Sequence, residues 1–165
     1  MLRIRNRLGC ALLLAAVASP AAAADPSIVG GCRIEPETNC SFAKLEKADL
    51  HGVDLTDSSL HGAVLSGADL RDANLQRVDF QVGNLSNADL RGANLEGAHL
   101  FANDLRGTQL QGANLRHVNL QDAHLEGANL QGADLDGAIL GTVRLDGATW
   151  IDGRVCASPS RGSCE

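Results

Sequence analysis

At 165 residues the chain has the length of one domain. Its only aromatic residues are Phe42, Phe80, Phe101 and Trp150, which leaves almost no stacking platform for bases or sugars. Twenty acidic side chains against 14 basic ones give a formal net charge of −6, and this balance counts against direct binding of nucleic acid.

Arg3, Arg5 and Arg7 precede an apolar run from Leu8 to Ala18, followed by Ser19-Pro20-Ala21-Ala22-Ala23-Ala24. A cationic start, a short apolar core and small residues at Ala22 and Ala24 read as a secretory signal peptide over 1–24, cleaved before Asp25. The run is too short to span a bilayer. Cys10 lies at its beginning rather than behind it, which argues against a lipid anchor. With no twin arginine and no second apolar stretch, the expected product is exported, periplasmic or extracellular, with no membrane span in the mature chain. Loss of the three arginines leaves 11 basic against 20 acidic residues, a net charge near −9.

Residues 25–42 form a short N-terminal cap segment that carries Cys32 and Cys40. Beyond it, every fifth residue from Leu45 to Leu145 is leucine except Phe80, and Trp150 takes the next place, making 22 units without insertion or deletion. On an α-helix a step of five turns each leucine about 140° from the last, so no stripe forms. On a straight strand an odd spacing throws successive leucines to opposite faces. A chain that turns a corner after each short extended segment can aim every leucine at one axis, and fixed periods of this kind mark solenoids.

The rest of the unit agrees. Two residues before the leucine stands Ala in 14 of 22 units and Val in four, small enough to share the inward face. The residue between is Asp or Asn in 13 units; it faces outward, where a short polar side chain can bond nearby backbone at a corner. Two residues after the leucine stands Gly in 11 units, where the backbone must bend.

Segments such as Ala88-Asp89-Leu90-Arg91-Gly92-Ala93-Asn94-Leu95-Glu96-Gly97 resemble the pentapeptide-repeat family, whose motif is A(D/N)LXX. The likeness spans residues 43–152. It implies an all-β fold, a right-handed quadrilateral parallel β-helix of four units per coil. Twenty-two units then make about 5.5 coils, an axis of roughly 26 Å. Leu and Ala fill such a core, leaving no room for a cofactor.

Residues 153–165 form a C-terminal cap or tail with Cys156 and Cys164. Four cysteines allow three pairings. Long-range pairings would have to join the ends of that roughly 26 Å rod, whereas a disulfide needs Cα atoms within about 7 Å. Cys32–Cys40 and Cys156–Cys164 are therefore the expected bridges. Covalent caps of this kind protect solenoid ends, whose unpaired edges invite other chains.

With twenty residues per coil, Asp49, Asp69 and Asp89 stack in one outward column beside His51, Arg71 and Arg91. That acidic stripe is a candidate surface for a basic partner. Single carboxylates in a flat ladder supply too few oxygens for calcium, so no metal is expected. The next wall stacks Asp54, Asn74, Asn94, Asn114 and Asp134, whose amides can bond along the column. On the wall centred on Leu60, Phe80 and Leu100, Phe101 points outward. Beside it Asn103 replaces an inward alanine next to Gly83. Absent volume at Gly83 makes room for the amide; the alternative is a bulge shaped for a partner with Phe101 as its anchor. The five histidines are scattered over the walls without zinc-site spacing, and no nucleophile has a base beside it. No catalytic residue is expected.

These features point to an exported, non-catalytic structural or binding module, monomer or weak dimer, meeting an unknown protein or cell-envelope component. Two alternatives stand beside it. One, implied by the resemblance, is a DNA-mimicking protector of gyrase against quinolones, which an acidic surface suits. The other is a secreted effector-associated module. Ice binding is set aside because the repeats hold only Thr56, Thr108, Thr142 and Thr149.

Overall fold

Each unit closes on itself with a hydrogen bond from the amide three residues after the leucine, as in Ala93 N to Leu90 O at 3.1 Å. The third residue of such a turn needs a positive φ. Glycine meets that demand at Gly52, Gly92 and Gly127 (φ 65–69°), but nine side-chain-bearing residues from Lys47 to Asp122 adopt it too, Val82 at 57° among them. At Gly141-Thr142 the pattern slips, with positive φ passing to Gly141.

The turns carry the chain around a four-sided solenoid, seen in a computed structural model that describes residues 28–164. Parallel bridges join each outward residue to the one twenty positions on, from Asn39–Ser59 to Asn129–Thr149. Two bonds repeat at every step: a central residue donates up (Leu90 N to Gln109 O, 2.8 Å) and the residue before it donates down (Asp89 N to Ala68 O, 2.9 Å). The signal-peptide segment 1–24 lies outside the described residues. Among the described residues no helix is long and apolar enough to cross a membrane.

The axis is filled by the leucines, fully buried from Leu45 to Leu130, with Phe80 and the small inward residues between them. Burial of each leucine stabilises by about 2 kcal/mol. Four inward positions hold neither Ala nor Val, and each is accommodated locally. Ser58, Asn103 and Thr108 are buried, and each donates to a carbonyl 23 residues earlier: Glu35 O, Phe80 O and Leu85 O. Gly83 is the fourth.

The two ends differ. At the start, β1 (Ile28–Val29) and β2 (Cys32–Arg33) pair antiparallel, and Cys40 takes the inward place one unit before Leu45. Cys32 and Cys40 are bonded across a Cα separation of 5.3 Å. At the other end the chain after Trp150 folds back antiparallel, bridging Thr149 to Val155 and Arg144 to Arg161, and Cys156 meets Cys164 with Cα atoms 4.8 Å apart.

Candidate interaction site

The outward Asp or Asn of a unit, Asn74 excepted, does what its length allows: its Oδ1 accepts the amide two residues on. Asp69 takes Arg71 N at 3.2 Å, Asn94 takes Glu96 N at 3.2 Å and Asn119 takes Gln121 N at 3.1 Å. These bonds hold the carboxylates in rank, and parallel bridges set Asp49, Asp69 and Asp89 directly above one another. The column is not a bare acidic stripe, however. Arg71 clasps both oxygens of Asp69 (2.8 and 2.5 Å), and Arg91 clasps both of Asp89 (2.8 and 2.6 Å). The arginine hydrogen bonds hold the Asp69 carboxyl down at about 2 and the Asp89 carboxyl below its ordinary range. A basic partner would meet self-paired charge here and compete with two bidentate clamps. Elsewhere arginines bridge coils: Arg77 to Asp57 at 2.6 Å, and Arg116 to Asp136 at 2.6 Å. On the neighbouring wall Asn114 Nδ2 donates to Asn94 Oδ1 at 3.0 Å, one rung of an amide ladder.

The wall beside Gly83 is arranged otherwise. Asn103 turns inward, fully buried, and its Nδ2 donates to Phe80 O. A Cβ on Gly83 would lie 2.9 Å from that Nδ2, so the glycine is what admits the amide. The irregular corner is thus the packing exchange first, and Asn103 is not a surface contact residue. Phe101 is half-buried rather than projecting. The exposed apolar group at this corner is Val82, 59 % exposed, whose amide donates to Phe101 O at 3.0 Å. Sequence reasoning marked Val82-Gly83 as part of an irregular corner but took Phe101, not Val82, for its anchor. The available signal was a β-branched residue at a place where half the units carry glycine.

Beside this corner lies an open recess of about 320 Å³, lined by Gly83, Ala102, Asp104, Arg106, His124, Glu126 and Arg144. Coil stacking alternates the charges: Asp104, His124 and Arg144 form one column, Arg106 and Glu126 the next. Arg106 clasps Asp104 (2.8 and 2.5 Å), and its hydrogen bonds lower the Asp104 carboxyl. His124 Nδ1 and Arg144 Nη1 approach Glu126 Oε1 at 3.4 and 3.6 Å, while Glu126 Oε2 has no hydrogen-bond partner. The recess offers charges of both signs on a fixed backbone, with an apolar corner at its edge. At the N-terminal end Phe42 is exposed, its ring lying over Gly62 and meeting His61 edge-on at 5.8 Å.

Comparison with known proteins places this architecture. The family model described as "Pentapeptide repeats" matches in eight copies over residues 37–72, 84–116 and 104–141. Among solved structures, HetL, a pentapeptide repeat protein involved in heterocyst differentiation regulation in the cyanobacterium Nostoc sp. PCC 7120, is 30% identical; the match covers 72% of this chain and 77% of that one, with a TM-score of 0.39. Rfr23 from the cyanobacterium Cyanothece 51142 is 33% identical over 52% of this chain and 58% of its own, with a TM-score of 0.42. A trypsin-treated variant of QnrB1, a plasmid-mediated fluoroquinolone resistance protein, is 19% identical over 69% and 70%, with a TM-score of 0.50. No curated protein matches the sequence significantly. Eight motif copies spread over most of the repeat segment, folded with twenty residues per coil and no helix among the described residues, show that this chain belongs to the pentapeptide-repeat family of right-handed β-helices.

Proposed function

We propose that the chain is an exported, non-catalytic protein-binding module whose partner docks at the Val82–Phe101 corner and the charged recess beside it. One observation carries the reading: an exposed valine and a half-buried phenylalanine border a concave patch that presents Arg106 and Arg144. An apolar centre, an aromatic and arginines on a polar rim are the composition that protein interfaces favour. The solenoid backbone is tied to the coils above and below, so docking there orders little and the entropic cost is small. Export is supported by the leader-like residues 1–24 and by cysteines spaced for bridging at both ends, an arrangement suited to an oxidising compartment.

Affinity capture from the exported fraction tests this, with bait that keeps both cystines. Val82→Ser and Phe101→Ser are expected to lose the captured partner while Gln131→Ala, on another wall, keeps it. Undiminished capture by both corner variants retires the assignment.

The acidic balance of the sequence favours a second reading, charge mimicry of duplex DNA directed at gyrase. The bidentate arginine–aspartate pairs oppose it, because they neutralise the carboxylates that such a surface would display. Unaltered gyrase supercoiling in the presence of the purified protein would exclude this reading.

A further inference from the structure

We propose that the occupant of this wall is an extended acidic segment of the partner protein, with a carboxylate held between Arg144 and Arg161 and an apolar residue laid on Val82. That the occupant is a protein rests on the corner-docking reading above; its acidic character rests on the arginines.

Most arginines of the solenoid are already spent. Arg71, Arg77, Arg91, Arg106, Arg116 and Arg154 each hold a carboxylate oxygen at 2.5–2.9 Å. Arg144 differs: it approaches Glu126 Oε1 only to 3.6 Å, and among the described residues its side chain makes no hydrogen bond. Arg161 has no carboxylate partner among the described residues. The two stand side by side, joined by an antiparallel bridge. That neighbourhood is the work of the tail, which covers two of the four sides of the last coil, those of Leu145 and Trp150. Leu145 N donates to Ser160 O at 3.0 Å, Gly162 N to Val143 O at 2.9 Å and Trp150 N to Arg154 O at 2.8 Å. The first two bonds flank Arg161 and fix its place beside Arg144. Asp146, the carboxylate nearest in sequence, is engaged by the tail itself and accepts Ser160 N at 3.0 Å.

The recess above these arginines is balanced in formal charge but not in what it shows. The side chains of Arg106 and Arg144 are 61 % and 41 % exposed, those of Asp104 and Glu126 only 23 % and 26 %. Asp104 has both oxygens clasped, and the unpartnered Glu126 Oε2 is buried out of reach. The wall therefore offers unspent donors and no accessible unspent acceptor. An ionised carboxylate, which only accepts, is the side-chain group that complements it, and guanidinium groups bind it through paired N–H donors.

The spacing sets the form of the segment. Bridges stack Asn84, Asp104, His124 and Arg144 in one column, with Val82 at the corner beside Asn84. Val82 thus lies three coils from Arg144, roughly 14 Å along the axis. An extended chain covers that distance with about four residues between its apolar and acidic ends. The chain as a whole carries a formal charge of −6, so the same segment is repelled by other faces, which confines it to this wall.

Fluorescence anisotropy on the oxidised protein tests the proposal, with a labelled peptide carrying leucine at one end and glutamate at the other across that spacing. It should bind with a dissociation constant of roughly 100 µM or tighter. Replacing its glutamates by glutamine or lysine should weaken binding at least tenfold. Arg144→Gln with Arg161→Gln should do the same, with the fold verified by circular dichroism, while Arg77→Gln on another wall should not. No binding of the glutamate peptide, or equal binding of the glutamine peptide, overturns the proposal. Displacement by inorganic phosphate at matched concentration overturns it too, by assigning the arginines to a phosphate group. If Val82→Ser weakens peptide binding and the arginine variant does not, docking at the corner stands and the acidic segment falls. If the arginine variant abolishes binding and Val82→Ser changes nothing, the carboxylate site stands and docking at the corner falls.

Discussion

Asn103 sits directly above Gly83: its Nδ2 lies 2.9 Å from where a glycine Cβ would be, and donates to the Phe80 carbonyl instead. That carbonyl already accepts Gly83 N at 3.1 Å, so the side chain adds a second bond to one acceptor. The Asn103 Oδ1 is buried with no partner, which offsets part of the gain.

The pair should therefore behave as a unit. Gly83→Ala alone is expected to destabilise, because the new methyl collides with the amide. Combined with Asn103→Ala, which restores the usual inward residue, its cost should shrink. A double-mutant cycle by urea denaturation should return a coupling of about 1–2 kcal/mol. Additive effects would mean that the two residues do not share the space as described.

Val82 combines a β-branched side chain with φ of 57° and substantial exposure. Left-handed backbone costs an L-residue about 1–2 kcal/mol, and little burial is lost on truncation. Val82→Gly should raise stability by about 1 kcal/mol. Gly112→Ala, at φ 67° with open space around it, should lower stability by a similar amount through backbone strain alone. Thermal midpoints moving in the same direction for both variants would contradict this account.

Acid should loosen the solenoid in a defined window. Arg71 holds the Asp69 carboxyl at about 2 against an ordinary 3.8, and Asp57, Asp89 and Asp104 are lowered by arginines of their own. A carboxyl depressed in the folded state contributes fully above its unfolded value and is lost as pH falls through the folded one. Stability should hold to about pH 4 and decline toward pH 2, with high salt softening the drop. Asp69→Asn should make the decline shallower when melting is followed across that range.

The cystines should matter separately at each end. Closing an eight-residue spacing stabilises by about 2.5 kcal/mol on loop entropy. The oxidised protein should titrate no free thiol among Cys32, Cys40, Cys156 and Cys164 until it is reduced. Serine at both Cys156 and Cys164 should release the tail, seen as faster amide exchange at Leu145 and Gly147, while Leu50 and Leu70 stay protected.

Much of the fold was legible because one spacing recurs 22 times and each member of the unit has its own geometric task. Leucine every fifth residue, a small residue two before it and a short polar residue between them found their places inward, inward and outward. The site was less legible. Phe101 drew attention as an aromatic in a polar column, yet its depth depends on how the Val82 corner turns. The Asp49–Asp69–Asp89 ladder was readable as a column. Whether its charge stays free depends on Arg71 and Arg91 choosing the carboxylate in their own unit, a matter of rotamer and reach.

Sequence alone determined the repeat, the inward and outward assignment of its residues, and the resemblance that implied coils of twenty, because period and side-chain size are local properties repeated without interruption. The tertiary structure decided which corner is exposed, which charges are already spent on one another, and that the C-terminal tail covers only two of four sides. Those outcomes depend on contacts between residues twenty or more positions apart and on where the chain stops stacking, which no single repeat unit encodes.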